Sequence, residues 1–272
     1  MDIYEKITDF YESVKTEKRV IGKSVLGRRI YAVKTGSGVP VVLAQYAIHG
    51  REYITSLLAI RHYEVGLKRG TLWLVPLVNP DGAMLSCQGL ASVKNATVAK
   101  RLTAQNGGTD FSLWKANARG VDLNVNFPAS WGTGSKNLRY AGAENYIGKK
   151  PLSEKESRAL ARFTEKIRPD CTVSYHTKGE EIYWYFNQPF SAVARDKSLA
   201  QTLARTTGYT LAYARGSAGG YKDWCIRKFG ISAFTIEAGS DRLSHPIGEE
   251  GLTEIIGKNE YTLYALSGEY GE

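Results

Sequence analysis

The sequence contains few cysteines and histidines, three and four respectively among 272 residues. The cysteines are Cys87, Cys171 and Cys225, and none forms a CxxC pair. An odd number of cysteines favours reduced thiols over a disulfide framework, and a single bridge such as Cys87–Cys171 has no positive support. We therefore expect the cysteines to be packing residues rather than metal ligands.

Long apolar runs are also missing, and no stretch reaches the length of a membrane span. The first twenty residues are charged and amphipathic, and they lack the apolar centre of a secretion signal. Together with the expected reduced thiols, this favours a cytoplasmic protein, while a processed form or one exported by another route remains open. There is no internal repeat or long linker, so we predict one domain over residues 1–272.

The chain carries a formal net charge of +9, which would attract acidic partners. Its basic residues are dispersed rather than gathered in one arm or stripe, and no helix-turn-helix, zinc-finger or RNA-binding pattern occurs. We therefore expect no nucleic-acid partner. The charge is either a bias toward acidic substrates or ordinary solvated surface charge, and the oligomeric state is not indicated.

Strand-like and helical stretches alternate along the chain, which is typical of an α/β domain with a parallel or mixed sheet. The composition, 43% hydrophobic and 23% charged, suits one sizeable core. Long loops, notably residues 128–150, are where we expect the substrate to bind. The pattern predicts helices over residues 1–20, from Tyr53 to a stop at Gly70, over 153–167 with a capping box at Ser153, and over 252–266, and a short strand over 120–127.

One short motif stands where a buried strand is predicted to give way to a helix. Residues 40–47 are mostly apolar, and His49-Gly50-Arg51-Glu52 follows them directly. In open α/β sheets, ligands bind at the carboxyl ends of the strands. An imidazole and a carboxylate three residues apart on a tight turn supply half of a zinc site, although an exposed pair at a helix start is the simpler interpretation.

A second strand-like run ends in a histidine far downstream. Residues 171–176 read CTVSYH, and a loop over residues 177–180 follows. Catalytic zinc sites often take two ligands close together in sequence and one distant ligand. His176 is therefore the candidate third ligand.

These motifs, with several others in the same order, resemble the zinc carboxypeptidases of the M14 family. The resemblance implies an α/β domain with a mixed, largely eight-stranded sheet flanked by helices, acting as a peptidase with one zinc ion. The other matching segments are Asn79-Pro80-Asp81-Gly82, residues 117–124 (NARGVDLN), residues 219–224 (GGYKDW) and Thr235-Ile236-Glu237.

The resemblance also implies a role for each site residue. His49, Glu52 and His176 would bind zinc and leave a fourth position open for water. Glu237 would be the general base, Arg119 would polarise the carbonyl, Asn124 would hold the substrate carboxylate, and Tyr213 would be the mobile tyrosine over the pocket. Simpler interpretations are a structural ion pair for Glu237, a surface position for Arg119 and a turn cap for Asn124.

Two positions depart from the digestive members of the family. The residue after Asn124 is Val125 instead of the arginine that clamps a terminal carboxylate. Lys222 stands where the family places the floor of the side-chain pocket, and Arg215 is a further candidate there. A lysine at this position suggests a leaving residue that carries a carboxylate, unless the side chain reaches out to solvent.

Both departures resemble the γ-D-glutamyl-meso-diaminopimelate peptidases, which act on bacterial cell-wall peptides. We therefore expect a zinc peptidase that cleaves such peptides, in wall-fragment recycling or in a sporulating mother cell. One alternative is a general carboxypeptidase that releases C-terminal Glu or Asp, which leaves Val125 unexplained. Another is a non-catalytic peptide- or glycan-binding module on a peptidase scaffold.

Overall fold

The computed structural model describes residues 2–271, so Met1 and Glu272 of the predicted domain lie outside it. The strands are β1 Lys18–Lys23, β2 Arg29–Ser37, β3 Val41–Tyr46, β4 Gly70–Val75, β5 Cys171–His176, β6 Glu181–Tyr183, β7 Thr210–Ala212 and β8 Ser232–Glu237. They form one eight-stranded sheet in the order β1-β2-β4-β3-β5-β8-β6-β7. The four strands β4, β3, β5 and β8 are parallel to one another. Strand β2 is antiparallel to both β1 and β4, β6 is antiparallel to β8, and β7 is parallel to β6.

Helices cover both faces of this sheet. Alternate residues of β3 separate the two layers, because Val42 and Ala44 pack into one apolar cluster and Leu43 into the other. The predicted mixed, eight-stranded α/β fold is therefore confirmed. The helices are α1 Ile3–Ser13, α2 Thr55–Val65, α3 Pro80–Gln88, α4 Ala96–Asn106, α5 Lys155–Ile167, α6 Phe190–Thr207, α7 Tyr221–Phe229, α8 Glu249–Asn259 and α9 Thr262–Gly268.

The first two predicted helices are shorter in the structure. The helix predicted over residues 1–20 ends at Ser13, because the chain from Lys18 onward pairs with β2. The helix predicted to stop at Gly70 ends at Gly66, whose φ of 69° favours glycine. Gly70 instead begins strand β4.

Three further predictions were wrong in detail. Residues 120–127 form no strand, and their centre is the 3₁₀ turn Leu123–Val125, capped by the Asp122 side chain. The capping box at Ser153 does not form, because the helix begins at Lys155 with Glu154 in the N-cap position, and the Ser153 hydroxyl donates to the Glu154 side chain. The C-terminal helix is broken after Asn259, whose carbonyl accepts from the Thr262 hydroxyl at 2.6 Å.

Two observations concern the apolar character of the helices and the state of the three cysteines. Within residues 2–271, no helix is long and apolar enough to span a membrane. Cys87, Cys171 and Cys225 are free thiols. Cys171 and Cys225 are fully buried, which fits their predicted role in packing.

Candidate active site

Three neighbouring strands end at one edge of the sheet and bring the candidate residues together. His49 follows β3, His176 is the last residue of β5, and Glu237 is the last residue of β8. His176 and Glu237 are paired directly across the two strands. After β3 the chain continues to β4 on one side of the sheet, and after β5 it continues to β6 on the other side. The site therefore lies at a topological switch point, which is where such sheets bind ligands.

The three predicted metal ligands converge on one point. Donor atoms of His49, Glu52 and His176 all lie within 4.8 Å of one another, and all three side chains are buried. The Glu52 carboxylate lies 2.9 Å from Nδ1 of His49 and 2.9 Å from Nδ1 of His176. The two imidazole nitrogens are 3.1 Å apart. Two imidazoles and one carboxylate are the donor set of many catalytic zinc sites, so these residues fit that metal.

A second carboxylate, which sequence analysis missed, orients the first histidine. Asp122 Oδ1 lies 3.1 Å from Nε2 of His49. With the Nε2 proton directed to Asp122, the lone pair of Nδ1 is free to bind a metal, as in many carboxylate–histidine–zinc arrangements. The other oxygen of Asp122 lies 3.0 Å from Nζ of Lys115.

Glycine is required in the turn that carries His49 and Glu52. A Cβ atom on Gly50 would lie 2.5 Å from the Gly82 backbone and 2.7 Å from the Trp114 carbonyl oxygen. This close approach allows Gly50 N–H to donate to the Lys115 carbonyl at 2.9 Å. The Asn79 side-chain amide donates to the Ile48 carbonyl at 3.2 Å, so the Asn-Pro-Asp-Gly motif stabilises the turn through a hydrogen bond to the residue before His49.

The buried charges of this cluster stabilise one another. Burial opposes ionisation of Glu52 and Asp122, but the adjacent histidines and Lys115 outweigh it and hold the pKa of both carboxyls well below the usual range. Burial also opposes the charged form of His49 and so lowers its pKa. Glu52 and Asp122 act in the opposite direction and outweigh burial, so the pKa of His49 is raised. The carboxylates are thus ionised at neutral pH and available to a cation.

Glu237 has the properties required of a general base. Burial, the largest effect, raises its pKa to about 7, and the nearby His176 and Lys115 only partly oppose that rise. A carboxyl with a pKa near 7 can both take up and release a proton at neutral pH. Glu237 lines the same cavity as His49 and His176, and no ion-pair partner is present for it within residues 2–271. The structural ion pair considered for this residue is therefore not observed.

Lys115, and not the predicted Arg119, supplies a cation to the cavity next to the metal cluster. Arg119 is exposed, its guanidinium lies 3.6 Å from the Glu154 carboxylate, and it does not line the cavity. Lys115 does line the cavity beside His49. Although burial opposes its charge, Asp122 and Glu52 raise its pKa, so Lys115 remains an ammonium. The structure thus gives Arg119 the surface position that sequence analysis held as an alternative.

A cavity of about 470 Å³ opens from this edge of the sheet. Asn124 lines it, and its side-chain oxygen accepts from the Tyr221 N–H at 3.0 Å. The Asn124 NH₂ group has no protein partner in the part of the chain that the structure describes. It is therefore free to donate a hydrogen bond, and the role of Asn124 in holding a substrate carboxylate stays a prediction.

Lys222 is buried at the cavity wall and does not extend into solvent. Its side chain is 6% exposed, and Nζ lies 2.6 Å from Asp223 Oδ1 and 3.2 Å from the Tyr185 carbonyl. The alternative of a lysine that reaches out to solvent is therefore wrong for this structure. A pocket role for Lys222 stays a prediction.

Tyr213 and Arg215 line the cavity from an exposed loop. The Tyr213 ring packs against Trp184 and Tyr185, with ring centroids 5.6 and 5.8 Å apart, and is 56% exposed. Its placement over the cavity agrees with the predicted position of a covering tyrosine. Roles for both residues remain predictions.

A match to a protein-family model decides the family. The model described as "Zinc carboxypeptidase" matches residues 6–246, which is most of the chain. This chain belongs to the zinc carboxypeptidase family. The predicted enzyme class, a zinc metallopeptidase, is thereby confirmed.

Two curated relatives and one solved structure are similar to this chain. It is 34% identical over 251 residues to γ-D-glutamyl-L-diamino acid endopeptidase 1 of Lysinibacillus sphaericus, covering 84% of this chain and 62% of the relative. It is 27% identical to murein peptide amidase A of Escherichia coli K12, covering 75% and 74%. The structure of thrombin-activatable fibrinolysis inhibitor has the same fold, with a TM-score of 0.75, 18% identity, and coverage of 97% and 71%.

Proposed function

We propose that this zinc carboxypeptidase-family protein hydrolyses the γ-D-glutamyl-meso-diaminopimelate bond of bacterial cell-wall peptides. The observation that carries the proposal is a cation-lined cavity beside the His-Glu-His cluster, with Lys222 in its wall and no arginine after Asn124. The relative from L. sphaericus, by its name, cleaves next to a diamino acid, and this supports the same substrate class here. Because the chain spans 62% of that relative, the activity is transferred as a proposal only.

His49, Glu52 and His176 would hold the zinc ion. When bound there, zinc supplies Lewis acidity that activates water and polarises the scissile carbonyl. Asp122 keeps His49 in the tautomer that presents Nδ1 to the metal.

Two other side chains carry the proton and the developing charge. Glu237 accepts the proton of the attacking water and later delivers it to the leaving amine. The Lys115 ammonium, held by Asp122, donates to the carbonyl oxygen as that oxygen becomes negative. Arg119 takes no part in this scheme because it lies outside the cavity.

Substrate selection follows from the polar residues of the cavity. Asn124 offers its free amide to a carboxylate at the reacting end of the leaving residue. Lys222 is close to the end of that residue's side chain, where diaminopimelate carries a second carboxylate together with an ammonium. The Lys222–Asp223 pair presents both charges to such a group.

A general carboxypeptidase that releases acidic residues uses the same zinc chemistry and is the second candidate. Lys222 favours it as well, but the missing arginine does not. A non-catalytic binding module is disfavoured because all three metal ligands and Glu237 are present at one cavity.

A panel of peptides separates these functions. Purified protein supplied with zinc is given L-Ala-γ-D-Glu-meso-diaminopimelate and matched peptides that end in L-Glu, L-Lys or L-Phe, and kcat/KM is measured for each. We expect efficient release of diaminopimelate only. Preferred release of L-Glu would establish the general carboxypeptidase, and binding without turnover of any peptide would establish the binding module.

A further inference from the structure

The charges that line the cavity are unequally satisfied. Among the residues that the structure describes, four lysine or arginine side chains line it, and two of them already have a buried carboxylate partner within 3.0 Å. Lys115 pairs with Asp122, and Lys222 pairs with Asp223. The cations that remain are Lys136 and Arg215.

Lys136 and Arg215 are exposed at the cavity and have no carboxylate partner within residues 2–271. They come from loops far apart in sequence, but the residues next to them are joined. Ser135 N–H donates to the Gly216 carbonyl at 2.8 Å, and the Ser135 hydroxyl donates to the same oxygen at 3.2 Å. The two unpaired cations thus lie next to the hydrogen bonds that join these two loops.

Further backbone hydrogen bonds and contacts join the same two segments of chain near Val125, the position of the missing arginine. Phe127 N–H donates to the Gly219 carbonyl at 2.9 Å, and Gly219 N–H donates to the Ala129 carbonyl at 2.8 Å. Gly219 packs so closely on Val125 that a Cβ atom there would lie 2.9 Å from the Val125 carbonyl oxygen. Val125, Lys136 and Arg215 therefore belong to one wall of the cavity.

We propose that Lys136 and Arg215 form a carboxylate-binding subsite that supplies the charge absent at Val125. The ligand is the carboxylate next to the scissile bond on the leaving residue. This inference rests on the proposed function for its substrate. An anion in this subsite would be bound by cations that have no internal partner to give up, so binding would not leave a buried carboxylate uncompensated.

The test compares four variants with two forms of one peptide. The variants are Lys136→Gln, Arg215→Gln, their double variant, and the control Lys149→Gln, which removes an exposed loop cation that does not line the cavity. The peptides are L-Ala-γ-D-Glu-meso-diaminopimelate and the same peptide with the carboxylate next to the scissile bond converted to an amide. kcat and KM are measured at low and at physiological ionic strength.

On the free acid, we expect KM to rise about tenfold for each single variant and further for the double variant, because a hydrogen bond to a charged group is lost. The amide should be a poor substrate for the wild type, and the variants should change its KM little. Added salt should weaken binding of the free acid to the wild type more than to the double variant. The Lys149→Gln protein should match the wild type.

Equal KM values for the double variant and the control on the free acid would overturn the proposal. So would an undiminished effect of the variants on the amide, because the cations would then not bind this carboxylate. Calorimetric binding of the free acid to Glu237→Gln protein, with and without the two substitutions, separates affinity from turnover. If the wild type releases L-Glu instead of diaminopimelate, the proposed function has failed, and the same variants are compared on that peptide and its C-terminal amide.

Discussion

Asp122 connects three parts of the site. Its carboxylate bonds to His49, to Lys115 and to the backbone N–H of Asn124 at 3.0 Å. One carboxylate therefore orients a metal ligand, keeps a cation in the cavity and caps the turn that presents Asn124. Its loss would disturb all three groups together, so its substitution alone cannot separate their roles.

Substitutions of Lys115 and Arg119 test which cation polarises the carbonyl. Lys115→Met should lower kcat about 100-fold or more, with a smaller change in KM, because a donor to the developing oxyanion is lost. Lys115→Arg should restore much of that loss, which separates a role of the charge from damage to the fold. Arg119→Gln should change kcat/KM by less than about threefold, since an exposed ion pair contributes little. The opposite ranking of Lys115 and Arg119 would return the role to the arginine.

The role of Glu237 as general base is tested by removing its charge and by measuring activity against pH. Glu237→Gln should lower kcat by about 10² to 10⁴ and leave zinc affinity nearly unchanged. As a base it must be ionised, so kcat/KM of the wild type should fall as pH drops through its pKa. That pKa is raised to about 7 by burial, and a bound divalent cation lowers it. If the residual kcat/KM of the Glu237→Gln protein fell at low pH in the same way, a group other than Glu237 would be titrating.

At this scale, sequence analysis identified the residues that stand inside recognisable motifs. The three metal ligands converge as expected, and Glu237 lies beside them. Lys115 was missed because its place in the cavity depends on two tertiary contacts, the Gly50 hydrogen bond and the Asp122 ion pair. A single sequence shows neither contact, and Arg119 was the nearest motif arginine.

Among the elements, a buried carboxyl cluster joins the β1–β2 turn to α3 and α5. Asp81 accepts from the Ser24 hydroxyl at 2.8 Å and pairs with Arg28 at 2.8 Å. Glu156 accepts from the Val25 N–H at 2.9 Å. The turn is thus held by carboxylates from two helices, and Asn79 is the N-cap of one of them, α3.

Glu156 should make the stability of the protein depend on pH. Burial first, and then Asp81, raise its pKa to about 7, above the unfolded value of 4.5. The folded state therefore holds this proton more tightly, and its stabilising effect is lost as pH rises from about 4.5 through 7. The loss amounts to about 3 kcal/mol in the free energy of unfolding.

Denaturant unfolding of wild type and Glu156→Gln between pH 4.5 and 8 measures this effect. The difference in unfolding free energy between the two proteins should change over that range, while the exposed control Glu269→Gln should follow the wild type. A constant difference between wild type and Glu156→Gln would show that the carboxyl titrates normally.

The strands that form the site were better predicted than the segments between them. Residues 40–47 are mostly apolar, and residues 171–176 contain the strand-favouring Thr172, Val173 and Tyr175, so both segments suit the central parallel strands β3 and β5. Residues 120–127 alternate in polarity, as a strand would. However, the Asp122 side chain accepts from the nearby Asn124 N–H, and the Asn124 side chain accepts from the distant Tyr221 N–H. Short polar side chains of this kind favour turns over strands, which is why the strand prediction failed there.

For the whole molecule, metal binding should add stability by joining two halves of the sheet. Glu52 and His49 follow β3 on one side of the switch point, and His176 ends β5 on the other. A ligand that binds only the folded state stabilises it, by about 2.7 kcal/mol at a free concentration 100 times Kd.

Thermal unfolding with and without zinc tests this linkage independently of catalysis. Zinc should raise Tm of the wild type and of Glu237→Gln by several degrees. It should leave Tm of His176→Ala unchanged. An equal rise in the His176→Ala protein would place the metal elsewhere.

The central claim is zinc-dependent cleavage next to diaminopimelate, and product analysis by mass spectrometry tests it most directly. L-Ala-γ-D-Glu-meso-diaminopimelate and a peptide ending in L-Glu are incubated with the protein in one mixture, with a chelator and without it. We predict release of free diaminopimelate that the chelator abolishes and added zinc restores. Release of L-Glu with the muropeptide left intact, or release of diaminopimelate that the chelator does not affect, would contradict the claim.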